Sequence, residues 1–181
     1  MFGSVAKWTF RRRDRLSKLA EAIESISLRD RQRILEAERI GRLRASGAAD
    51  LYGICRELVD ALNSRLSDPA VVLDPPVYGR ENFEDGRANL FQINLRGRLL
   101  QVGFGSTDEL ISTEDFRSPY ILNGSVRSFN QELLDRKAVE EHNIFYCLEG
   151  QGGRWFFSDC RAYRNGKLTS DFLARKLERL L

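Results

Sequence analysis

Leu16, Leu19, Ile23 and Ile26 recur at steps of three and four residues, which predicts a helix carrying one narrow apolar stripe. Ser27-Leu28-Arg29-Asp30 has the form of an N-cap with a carboxylate three residues on, so a break and a fresh start are expected there. The stretch that follows, to Arg44, places Leu35, Ile40 and Leu43 among many charges, and Ser46-Gly47 is expected to interrupt it. From Ala48 to about Leu66, the residues Leu51, Ile54, Cys55, Leu58, Leu62 and Leu66 form a wide apolar face, and Asp68-Pro69 ends it.

The pattern then changes period. Pro69, Pro75, Pro76, Gly79 and Gly86 punctuate a polar stretch in which Val71-Val72-Leu73 reads as a short edge strand. Phe91, Ile93 and Leu95 alternate with Gln92 and Asn94. Across Arg96-Gly97, Leu100, Val102 and Phe104 alternate with Gln101 and Gly103. Pairing Leu95 with Arg98 sets Ile93 opposite Leu100 and Phe91 opposite Val102, a self-consistent hairpin. Residues 105–118 read as an acidic loop or a short helix capped near Ser106. Tyr120, Leu122 and Val126 then share one face of a further strand, with Gly124 as a bulge. Asn130 is placed to cap a short helix holding Leu133, Leu134 and Ala138. Asn165-Gly166 marks a tight turn, and Ser170 caps a last helix with Leu173, Leu177 and Leu180 facing inward.

Residues 142–160 form a hairpin that is apolar on both sides. Ile144, Tyr146 and Leu148 project one way, Phe145 and Cys147 the other; across the turn Trp155 and Phe157 oppose Phe156. A turn at Gln151-Gly152 places His142 opposite Arg161, whereas a three-residue loop from Gly150 to Gly152 places it opposite Cys160. Only the second register brings the one histidine and a thiol together. A Cys147–Cys160 disulfide is out of reach in both.

This order of elements predicts an α+β fold: an antiparallel β-meander of about five strands with a helical insertion, packed by helices on one face and preceded by a basic N-terminal helical arm. The arm covers residues 1–46 and the globular domain residues 47–181. An apolar share of 42% in 181 residues is enough for one core plus an appendage.

Charge sharpens that division. Through Ala48 there are 12 Lys/Arg against 6 Asp/Glu, a balance of +6; from Ala49 onward there are 17 against 20, a balance of −3. No run approaches the ~18 apolar residues of a membrane helix, and the opening segment reaches Arg11-Arg12-Arg13 without an apolar signal core. A cytoplasmic protein with reduced thiols, no membrane partner and no cofactor is expected.

Three functions follow from different residues. The first is non-catalytic: self-association into a homo-oligomer through the apolar stripe, with a protein or peptide partner bound on a sheet face carrying Phe145, Cys147, Trp155, Phe156 and Phe157. The second is nucleic-acid binding by Trp8, Arg11, Arg12, Arg13, Arg15 and Lys18, arginines for phosphate and the aromatic for stacking. Six carboxylates interleaved with the arm's cations weaken that second reading. The third is a small-ligand or catalytic pocket between the sheet and the 105–118 loop, with Glu109, Glu114, Asp115 and Asp159 as its carboxylates. One histidine and three widely spaced cysteines do not meet the ligand spacing of a zinc site. The glycines at 150–153 lie between two strands, where a phosphate cradle needs a strand and a helix.

Overall fold

The computed structural model describes residues 4–111, 119–129, 139–159 and 164–181; of residues 4–14, 108–111, 159 and 164 it describes the backbone. The elements are α1 (Ser4–Asn63), β1 (Val71–Asp74), a 3-10 turn at Arg80–Asn82, β2 (Asn89–Leu95), β3 (Arg98–Ile111), β4 (Tyr120–Phe129), β5 (Glu140–Glu149), β6 (Gly152–Asp159), β7 (Arg164–Lys167) and α2 (Ser170–Glu178). The seven described strands make one antiparallel sheet in chain order, each pairing with its sequence neighbour. The architecture is α+β; β1 is the edge strand expected at Val71-Val72-Leu73, and β7 is a strand where a turn was expected. The helix expected at residues 130–138 lies outside the described residues.

Two compact units divide the chain, residues 1–40 and 41–181. In the first, α1 passes Ser27 to Asp30 without a break. Residues 16–40 have neither proline nor glycine and are rich in Leu, Arg, Glu and Ala, so nothing stops the helix and the N-cap pattern has no free end to cap.

In the second unit the helix also continues through Gly47. A Cβ at Gly47 would lie 2.8 Å from the Tyr146 ring, and the Trp155 indole N–H donates to the Gly47 carbonyl at 2.7 Å. Glycine in a helix interior costs about 1 kcal/mol relative to alanine; here that is offset by the approach of the helix to β5 and β6. The helix ends at Asn63 rather than Leu66. Asn63 Nδ2 donates to the Val71 carbonyl at 2.8 Å and its Oδ1 accepts from the Val71 N–H at 3.1 Å, which ties the helix end to β1.

The core lies on one face of the sheet. Leu51, Cys55 and Leu58 from α1 and Leu173 from α2 are buried with Phe91, Ile93, Leu100, Val102, Leu122, Val126, Ile144, Tyr146 and Trp155 from the strands. The β2–β3 register is the expected one, with Leu95↔Arg98, Ile93↔Leu100 and Phe91↔Val102.

Elsewhere the register departs from expectation. β3 runs on to Ile111, so no helix starts at Ser106; buried Thr107 instead donates its hydroxyl to the Tyr120 carbonyl at 3.4 Å. The irregularity in β4 falls at Ile121, between Tyr120↔Cys147 and Leu122↔Tyr146, not at Gly124. It turns Tyr120 to the face opposite Leu122 and Val126. Gly124 serves packing, because a Cβ there would overlap the Gly103 carbonyl oxygen.

The β5–β6 turn is Gly150-Gln151, with Glu149↔Gly152 as the closing pair. Neither expected register is formed. Gly150 has φ +59°, the positive value that a tight hairpin turn takes at its first position. Asn165-Gly166 is part of β7, not a turn, and a Cβ on Gly166 would come 2.9 Å from the Phe157 ring opposite it. α2 is capped one residue early, by Thr169, whose hydroxyl accepts from the Phe172 N–H at 3.3 Å. Leu173, Leu177 and Leu180 are buried as expected.

Arg44 secures the β4 irregularity. Its guanidinium donates to the carbonyls of Ile121 and Thr107 and to both oxygens of Asp85, at 3.1 and 3.2 Å for the latter pair. Carbonyls freed where the β3–β4 ladder is interrupted thereby find a donor.

Candidate functional site

Successive strand residues point to opposite faces, so the register that buries Val102 and Val126 turns Gln101, Gly103, Gly105, Asn123, Ser125 and Arg127 outward. Two positions lack a side chain, and Ser125 is small. The result is a groove of about 650 Å³ across β2, β3 and β4, with Arg87 at one side and Arg127 at the other. Arg127 is held against Glu141 by contacts of 2.7 and 2.8 Å. Hydrogen bonds from Ser125 and Arg127 keep the Glu141 carboxyl below its usual range against a slight opposing effect of burial. Gly103, Gly105 and Gly124 make up much of its floor, and Gln101, Asn123 and Ser125 supply hydrogen-bonding groups along it.

Farther along the same face the surface becomes apolar. Tyr120, Phe145, Cys147 and Phe156 pack together, with the Tyr120 and Phe145 rings 4.9 Å apart edge to face. Phe145 and Phe156 are half-buried, whereas Cys147 keeps 1% of its surface within the single chain. Burial, with a smaller contribution from the Glu149 charge, pushes the Cys147 thiol up to about 11. That thiol is protonated at neutral pH and poorly suited to nucleophilic or ligand chemistry.

The five aromatic and thiol positions predicted as one binding face are therefore split between two. Phe145, Cys147 and Phe156 share the outer face. Trp155 is buried in the core and bonded to Gly47, and Phe157 stacks on Phe172 of α2 at 4.2 Å.

His142 lies on the inner face in line with Val126, its ring edge-to-face with Phe172 at 5.9 Å. The adjacent Glu140 carboxylate accepts from Arg179 at 2.6 and 2.7 Å and lies 3.7 Å from His142 Nε2 and 3.9 Å from Lys176 Nζ. Lys176 is itself buried over the Phe172 ring, 5.3 Å from its centroid. This cluster clamps α2 to β5. The β5–β6 register, with Asn143↔Ser158, does not make 142 and 160 partners, and Cys160 lies outside the described residues.

Of the carboxylates predicted near a pocket, Glu114 and Asp115 lie outside the described residues, and Glu109 and Asp159 are described in backbone alone, within β3 and β6. Among the described residues no group of three His, Cys, Asp or Glu is placed to hold a metal ion.

In the 1–40 unit, Trp8, Arg11, Arg12 and Arg13 lie on α1 in backbone, their side chains outside the described residues. Arg15 and Lys18 are exposed. Leu16, Leu19, Ile23, Ile26, Leu28, Ile34 and Leu35 are each between 55% and 60% exposed. No helix among the described residues is long and apolar enough to cross a membrane.

Comparison with protein-family models, with curated proteins and with solved structures finds no significant match. The outer groove was not singled out from sequence. Its signal is a run of small or polar residues at alternate positions in two successive strands, Gly103 and Gly105 beside Asn123 and Ser125.

Proposed function

We propose that the chain is a non-catalytic protein-interaction module that self-associates through the 16–35 segment of α1 and offers the outer face of its sheet to a protein or peptide. The observation that supports this is that seven aliphatic side chains are more than half exposed on one helical segment, five of them, Leu16, Leu19, Ile23, Ile26 and Ile34, along one side of it. Burying the four of the first repeat would contribute on the order of 3–7 kcal/mol per chain, before the entropy of association is subtracted. Leu16, Leu19, Ile23 and Ile26 follow coiled-coil spacing, and the next two positions of that repeat are Asp30 and Arg33. Charged residues in such a seam restrict the register of the paired helices.

Sedimentation equilibrium of the full chain tests this. A mass that is a multiple of 20.8 kDa is expected at micromolar concentration, falling to 20.8 kDa in the Leu19→Lys, Ile23→Lys double variant with the sheet signal intact. A wild-type monomer would refute the reading. Ser125→Tyr, which fills the outer groove, is expected to leave the mass unchanged.

A second reading is favoured by one observation. Arg15, Arg29, Arg31 and Arg33 are exposed on α1 and take part in no ion pair among the described residues. Free guanidinium groups along a helix suit the phosphates of a nucleic acid. Four such contacts predict that log K falls with log salt with a slope of about −3 to −4. Absence of binding to duplex or single-stranded DNA or to RNA at low salt would remove this reading.

A further inference from the structure

A second cavity, of about 480 Å³, opens within the 41–181 unit at the β2–β3 turn end of the sheet. Leu62 and Leu66 reach it from the end of α1 and the turn beyond, Val71 and Leu95 from β1 and β2, and Leu177 from α2. Leu66 and Leu181 on its rim are 43% and 77% exposed, so this is a cleft open to solvent with an apolar lining. Volumes of roughly 300–1,000 Å³, apolar in lining with a few polar groups at fixed places, are typical of small-molecule sites.

Two arginines stand at the mouth, and they differ. Arg96 lies 3.9 Å from the Asp68 carboxylate and so has a counter-charge of its own. Arg98 is part-buried, and its Nε donates to the Leu180 carbonyl at 2.7 Å. That bond fixes the plane of the guanidinium while its two terminal amino groups meet no acceptor among the described residues. A planar cation held at the edge of an apolar cavity matches a carboxylate, which a guanidinium binds through two parallel hydrogen bonds.

We propose that this cavity binds a medium-chain aliphatic monocarboxylate, a fatty acid, with its chain between α1 and α2 and its carboxylate on Arg98. Glu178 lines the same rim and repels the ligand's charge, so the headgroup sits on the Arg98 side. The proposal does not depend on the self-association described above.

Isothermal titration of the full chain with decanoate, below its micellar concentration, tests it. Saturable binding of one decanoate per chain is expected. Arg98→Gln should weaken decanoate at least tenfold and leave decanol unchanged, and Glu178→Gln should strengthen decanoate a few-fold. Ala174→Phe fills the cavity from α2 and should abolish both ligands; it keeps the test decisive if Arg98→Gln fails to fold. The proposal falls if decanoate gives no binding heat, if decanol binds wild type as tightly as decanoate, or if Ala174→Phe binds like wild type. It also falls if Ala174→Phe changes the sedimentation mass, since the cavity would then be a contact between chains.

Discussion

The indole of Trp155 in β6 donates a hydrogen bond to the carbonyl of Gly47 in α1 at 2.7 Å, joining residues 108 apart in sequence. Gly47 has no side chain where the Tyr146 ring lies, and the helix is thereby brought within reach of the indole. Gly47→Ala should gain about 1 kcal/mol of helix propensity yet lower stability by about 1–3 kcal/mol through overpacking. Urea unfolding followed by circular dichroism decides the sign. A stabilised Gly47→Ala protein would mean that the Tyr146 ring yields freely.

Arg44 offers a sharper case, because one side chain satisfies two carbonyls and a carboxylate at the β4 irregularity. Its removal in Arg44→Gln should cost about 1.5–3 kcal/mol, the range for hydrogen bonds to charged groups. Arg44→Lys should recover little of this, since a compact ammonium cannot reproduce the fork. Hydrogen exchange should show the loss concentrated around Thr107 and Ile121.

Glu140 governs a stability component that depends on acid. Burial alone would raise its pKa, but the hydrogen bonds and charge of Arg179, with Lys176 and His142, hold it below its ordinary value. A carboxyl depressed in the folded state stabilises above its unfolded pKa of about 4.3 and loses that contribution as pH falls through the folded value. Glu140→Gln should therefore differ from wild type at pH 7 and converge with it in acid. The side chain is 36% exposed, so the gap should be about 0.2–1 kcal/mol, as for solvent-screened pairs. Denaturation midpoints across pH 2–7 measure it.

The alkaline limb has the opposite sign. Burial, as the main cause, pushes Cys55 up to about 12, Cys147 to about 11, and Tyr78 and Tyr146 each to about 12. Unfolded thiols and phenols ionise near about 8.5 and 10. The stabilisation is complete below those unfolded values and is lost as pH rises through the folded ones, so thermal midpoints should fall progressively above about pH 9. At pH 8, in a Cys160→Ser background, a thiol reagent should label neither remaining cysteine until urea is added. Labelling of the native protein would show that Cys147 is open to solvent.

Periodicity read the fold well wherever a segment had one clean period. The β2–β3 hairpin followed from alternation to the exact pair, and the buried face of α2 from its leucine spacing. Glycine was the residue that misled. Gly47, Gly124 and Gly166 have the local look of a helix stop, a bulge and a turn. Each is instead a place where another side chain or carbonyl crosses the backbone closely, and that fact belongs to tertiary packing. The same limit applied to the 142–160 hairpin. Its two-sided apolar pattern was legible, but its register depended on which of three clustered glycines took the positive φ, and the position chosen was Gly150. Arg44 could not be distinguished by sequence from the other arginines of a basic stretch, since its partners at Ile121 and Thr107 are far along the chain.

Chain order carries a consequence for synthesis. Each described strand pairs with its immediate neighbour, so the sheet can zip up step by step as it leaves the ribosome. The helix that covers it is made first, and the indole that anchors that helix arrives 108 residues later. At roughly 5–20 residues per second, about 5–20 s separate Gly47 from the indole that anchors it, while Phe91 and Ile93, which share the core with residues 48–59, arrive in less than half that time. Until the indole arrives, the leucines of this stretch are covered strand by strand rather than all at once.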